Sequence, residues 1–107
     1  MDKKGVLRMD KQAVYDFLTT IPAGKVVTYG QIGEYLGSRH YARTVGNILH
    51  GNPDGEKYPC YKVVNGQGRL SEHYAFGGLA AQRQKLLADG IVVNNDRVDL
   101  EKYRYQP

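Results

Sequence analysis

Ala13, Val14, Phe17, Leu18 and Ile21 recur at the spacing of one helix face, with polar residues filling the positions between them. Asp10 stands just before this stripe, where a carboxylate can accept from the free N–H groups of the first turn. Pro22-Ala23-Gly24 ends the pattern, and Lys25-Val26-Val27-Thr28 reads as a short extended piece. Thr28 then caps a second helix, Tyr29 to Leu36, whose predicted inner face is Ile32, Tyr35 and Leu36. Gly37 stops it. Ser38 caps a third helix, Arg39 to His50, with an inward stripe of Ala42, Val45, Ile48 and Leu49.

Beyond a loop from Gly51 to Tyr58, the apolar Val63-Val64 is followed by a second loop, Asn65 to Gly78. A fourth helix, about Leu79 to Asp89, is expected to pack Leu79, the stem of Arg83, Leu86 and Leu87, and to end at Gly90. Ile91-Val92-Val93 and Arg97-Val98-Asp99-Leu100 flank Asn94-Asn95-Asp96, residue types that tolerate the left-handed conformations of a tight hairpin. The second and third helices, joined by a Gly-containing turn, make either a helix-turn-helix or an ordinary helical hairpin. A terminal hairpin would serve the first as a wing. The expected fold is therefore mainly α, a winged helix-turn-helix in one domain over residues 1–107, with residues 1–9 a loose lead-in.

A chain of 107 residues supports one modest core. There is no apolar run of bilayer length and no charged-then-apolar start of signal-peptide type, so no membrane association and a cytoplasmic location are expected. The single cysteine excludes an internal disulfide, and no Cys/His cluster has zinc spacing. A net charge of +4 leans only weakly towards a polyanionic partner. The lean sharpens on the third helix, where Arg39, His40, Arg43 and His50 gather and no carboxylate lies between Glu34 and Asp54. Gly46 in that helix costs roughly 1 kcal/mol relative to alanine, which makes sense where another backbone must come close.

Cys60 lies in Tyr58-Pro59-Cys60-Tyr61-Lys62-Val63-Val64. A free cysteine is either a small buried hydrophobe or a nucleophile, and the second role needs thiolate, favoured by a neighbouring cation or base. Lys62 is the candidate cation. No histidine adjoins Cys60 in sequence, which leaves His50 and His73 to approach it in space.

The ordered motifs Val-Thr-Tyr-Gly-Gln-Ile (27–32), Ala-Arg-Thr-Val-Gly (42–46), Gly-Asn-Pro (51–53), Pro-Cys-Tyr-Lys-Val-Val (59–64) and Phe-Gly-Gly-Leu (76–79) resemble the DNA-binding domain of O6-alkylguanine-DNA alkyltransferases, and equally the shorter alkyltransferase-like proteins. The resemblance runs from about Ala13 to Gly90. It implies a helix-turn-helix that enters the minor groove and flips the damaged guanine. Arg43 matches the finger that fills the vacated space, and Tyr29 the tyrosine that rotates the 3′ phosphate. Thr28, Arg39, Ala42, Gly46 and Lys62 complete the implied DNA-facing set. Cys60 matches the acceptor that takes the alkyl group once, without a cofactor, and Asn52 the residue bracing its turn. Val63, Ser71, Ala75, Phe76 and Gly77 are the implied lesion pocket. The implied partner is duplex DNA containing O6-alkylguanine, bound by a monomer.

Two departures accompany the match. The family's Pro-Cys-His-Arg-Val reads Pro-Cys-Tyr-Lys-Val here, so Tyr61 replaces the histidine that acts through water as base, and Asp89 replaces the glutamate that orients it. Tyr41 stands where the family usually has a small residue. Tyrosine, with a pKa near 10, is a poor base at neutral pH. An unassisted thiol near pKa 8.5 is a few per cent ionised, a cost of roughly 30-fold in rate. The resemblance thus leaves two expectations: weakened stoichiometric alkyl transfer to Cys60, or a non-enzymatic sensor that recruits nucleotide-excision repair proteins.

Overall fold

The computed structural model describes residues 10–107, so the expected lead-in over residues 1–9 lies outside the described residues. Helix α1 spans Lys11–Leu18, and Asp10 caps it by accepting from the Gln12 N–H. Strand β1 is Val27–Thr28, followed directly by α2, Tyr29–Tyr35. The Thr28 hydroxyl accepts from the Gln31 N–H at 3.0 Å while the Gln31 side chain accepts from the Thr28 N–H, a reciprocal cap that fixes where α2 begins. A 3-10 turn, Arg39–Tyr41, capped by Ser38, leads into α3, Ala42–His50. The sequence predicts one helix from Arg39; the regular α-helix starts three residues later.

Helices α1 to α3 enclose the main core, built on Val14, Leu18, Ile32, Val45 and Leu49, with Cys60 and Val63 closing it from the far side. Tyr35 is 62 % exposed, so only Ile32 and, in part, Leu36 hold the inner face predicted for α2. Gly33 explains how α2 and the turn after it come so close. A β-carbon there would lie 2.7 Å from the Ser38 carbonyl oxygen.

A second 3-10 turn, Cys60–Lys62, runs into β2, Val63–Val64, which pairs in parallel with β1 in the register Val27 to Val63 and Thr28 to Val64. This pairing sets the cysteine turn beside the start of α2. Helix α4 spans Gly78–Ala88. Its inward residues are Gln82 and Leu86, four apart, whereas Leu87 is 49 % exposed and Arg83 extends to Asp96 at 2.8 Å.

The wing is shorter than its apolar pattern: β3, Val93–Asn94, and β4, Arg97–Val98, joined by Asn95 and Asp96 with φ of 54° and 58°. Ile91 and Val98 turn inward to a second core with Val26, Val64, Leu70 and Leu86. A short C-terminal helix α5, Leu100–Tyr103, has no counterpart in the sequence reading. It brings Tyr103 and Tyr105 alongside Val26 through backbone hydrogen bonds of 2.9 and 2.8 Å.

Candidate nucleic-acid interface and thiol cavity

Between α3 and the loop before α4 lies a cavity of about 440 Å3, lined by Tyr29 from α2, Gly46, Asn47, Leu49 and His50 from α3, Cys60, Ser71, His73, Tyr74, Ala75, and Gln82 from α4. The outer edge of α3 leaves Arg43, Thr44, Asn47 and His50 exposed on one surface. A helix-turn-helix therefore presents its basic helix on the rim of the pocket that contains the thiol.

Cys60 is buried, and its surroundings account for its position. The Asn52 amide donates to the Tyr58 carbonyl at 2.8 Å and to Cys60 Sγ at 3.2 Å, while its oxygen accepts from the Asp54 N–H at 3.0 Å. One buried asparagine thus ties both ends of the 52–60 loop and aims the sulfur. Burial pushes the Cys60 pKa above that of a free thiol; the Asn52 hydrogen bond, a backbone N–H and the Lys85 charge pull the other way without cancelling it. The balance leaves Cys60 a weaker acid than a free thiol.

Tyr61 and Asp89 meet as the resemblance implies, but to different chemical effect. The Tyr61 phenol is pushed above its usual pKa by burial, by the Asp89 charge and by its hydrogen bond to the Asp89 carboxylate. A phenol that donates to a carboxylate has no capacity to draw a proton from sulfur. Asp89 also accepts from the Gly24 N–H at 3.1 Å and pairs with Lys62 Nζ at 3.2 Å.

That pairing places Lys62 inside the fold. It is 5 % exposed, and its ammonium also donates to the Pro22 carbonyl at 3.0 Å, so its charge is engaged by Asp89 and a backbone carbonyl. Thr28 is likewise buried, with its hydroxyl engaged as the α2 cap. Among the expected pocket residues, Ser71 and Ala75 line the cavity; Val63, Phe76 and Gly77 do not. Val63 is enclosed in the core, Phe76 lies over Gly55, and Gly77 precedes α4 at a φ of 123°.

Tyr29 does line the cavity, its phenol hydrogen-bonded to Ser71 and pushed up in pKa chiefly by burial. His50 and His73 stand at the rim, joined by a 3.2 Å contact from His50 Nδ1 to the His73 carbonyl. Arg39, Arg43 and Gly46 lie on or beside the exposed face of α3, with Ala42 half-buried in its first turn. Tyr74 belongs to the 71–77 loop expected to form the pocket, whereas Gln82 lies outside the expected set. Gln82 had a usable signal, since it stands four residues before the buried Leu86 on the same helix face.

A basic helix-turn-helix whose cavity holds a braced cysteine defines a DNA-binding domain of the alkyltransferase type. Residues 10–91 match the family model described as the 6-O-methylguanine DNA methyltransferase DNA-binding domain, and the chain belongs to that family. It is 41 % identical to the DNA base-flipping protein of Vibrio parahaemolyticus, over 88 % of this chain and 93 % of that one. It is 33 % identical to alkyltransferase-like protein 1 of Schizosaccharomyces pombe over 94 % of this chain and all of that one. The crystal structure of S. pombe Atl1 in complex with damaged DNA containing O6-carboxymethylguanine superposes with a TM-score of 0.83 at 32 % identity, covering 94 % and 99 % of the two chains.

Proposed function

We propose that this protein binds duplex DNA as a monomer, turns an O6-alkylguanine out of the stack and holds it in the Cys60 cavity. The observation that carries this reading is the continuity of the exposed basic face of α3 with a cavity whose wall contains the buried thiol. Arg39 and Arg43 supply the cations that neutralise phosphates. Flipping a base costs a few kcal/mol of stacking and pairing, less for a lesion that already pairs badly. Arg43, long and exposed on α3, takes up the vacated space. The similarity to a base-flipping protein and to Atl1 on damaged DNA supports the same assignment.

With the base seated, Cys60 Sγ attacks the alkyl carbon and the carbon–O6 bond breaks. The bonding pair stays with guanine, which gains a proton as the thiol loses one, and the alkyl group remains on sulfur as a thioether. The balance needs no cofactor, and each molecule reacts once. The step is slow here, because burial holds the thiol protonated and Tyr61 donates to Asp89 rather than accepting from sulfur. The same observation favours a second reading, a sensor whose lesion complex is handed to nucleotide-excision repair proteins.

Intact mass after incubation with an O6-methylguanine duplex, with Cys60→Ser as control, separates the two. Slow gain of one methyl group confined to Cys60 supports transfer. Lesion-selective binding with no mass change supports the sensor, and binding indifferent to the lesion contradicts both.

A further inference from the structure

Tyr74 lines the cavity, is 8 % exposed and belongs to the main core, with the Phe76 ring edge-on to its own at 5.8 Å. Among the described residues, its hydroxyl is the one buried side-chain polar atom without a hydrogen-bond partner. Such atoms are rare, because leaving a buried polar group unmatched costs about 1–3 kcal/mol. The rest of the buried wall is matched. The Gln82 amide donates to the Tyr61 and Val63 carbonyls and accepts from the Ser71 N–H. Ser71 Oγ accepts from the His73 N–H and also meets Tyr29.

Resting on the reading that an alkylated base enters this cavity, we infer that the Tyr74 hydroxyl is a specificity-determining donor to the N1–O6 edge of that base. The chemistry of the lesion supplies the reason. Guanine carries a hydrogen on N1, whereas O6-alkylation removes it and leaves N1 and O6 both as acceptors. The donors on this wall include the Tyr74 O–H, the Tyr29 O–H beside Ser71, and the Cys60 S–H, whose sulfur already accepts from Asn52. An acceptor edge is the partner that a buried O–H donor needs, and the alkylated base offers two such acceptors where guanine offers one. Burial chiefly, and the charges that Cys60 and Tyr61 take on once ionised, push the Tyr74 pKa far up, so the donor stays in place across the working pH range.

Tyr74→Phe tests the assignment through two opposed readouts. Thermal unfolding without DNA should be unchanged or shifted upwards, since the variant loses only an unmatched hydroxyl. Affinity for an O6-methylguanine duplex should fall roughly tenfold while affinity for the same duplex with guanine stays the same. Full retention of lesion affinity would overturn the proposal. A lowered unfolding temperature with equal weakening on both duplexes would also overturn it and make Tyr74 structural. Failure of the underlying reading appears elsewhere, in wild-type protein that binds both duplexes equally, and would take this inference down with it.

Discussion

At the scale of single residues, a thiol's usefulness is set by how much of it is thiolate, and here Asn52 and Lys85 work against burial without overcoming it. A raised pKa means that deprotonation, and with it nucleophilicity, increases with pH beyond the range where a free cysteine has levelled off. Labelling of Cys60 by iodoacetamide, followed by mass, should therefore be slower than that of free cysteine at pH 7 and still be rising at a pH where labelling of free cysteine has levelled off. A plateau near neutrality would contradict the burial argument. Asn52→Ala, which removes the hydrogen bond that favours thiolate, should move the profile to higher pH. Lys62 gives a second test. Lys62→Met leaves the Asp89 carboxylate without its cation and should cost about 3 kcal/mol of stability in denaturant unfolding. Its DNA affinity should keep the wild-type salt dependence, whereas a phosphate contact would lower that slope by about one.

At the scale of elements, nothing inside the fold accounts for the glycine of α3. The nearest atoms to a β-carbon on Gly46 would be the Tyr29 ring at 3.9 Å, ordinary contact distance, so nothing inside the fold forbids alanine. Gly46→Ala should raise stability by up to about 1 kcal/mol and weaken DNA binding, because the added methyl stands on the pocket-side face. Gly33→Ala is the contrasting case, since its β-carbon collides with the Ser38 carbonyl, and it should destabilise the domain. The sequence revealed α1 and α2 well, because Asp10 and Thr28 are caps with a physical mechanism and apolar spacing supplied the faces. Tyr35 and Leu87 misled, since their positions satisfy the helical period while, among the described residues, Tyr35 meets the Phe17 ring on one side only and both stay largely exposed. The site divides the same way. Cys60, Asn52, Tyr29 and Ser71 come together as the motifs implied. Lys62 looked like a surface cation because sequence does not show that Asp89 and the Pro22 carbonyl converge on it.

At the scale of the whole molecule, two small cores meet across the parallel β1–β2 pair, which fixes the helix-turn-helix relative to the cysteine turn. No helix among the described residues is long and apolar enough to cross a membrane. The net charge of +4 is modest, so affinity for undamaged DNA should be weak and strongly salt-dependent, and lesion preference must come from the cavity. The most direct test is a titration of two duplexes that differ only in carrying guanine or O6-methylguanine beside a fluorescent base that brightens when its neighbour leaves the stack. We expect at least tenfold tighter binding and a fluorescence rise with the lesion, both lost in Arg43→Ala. Equal affinity for the two duplexes with no change in fluorescence would contradict base flipping by this protein.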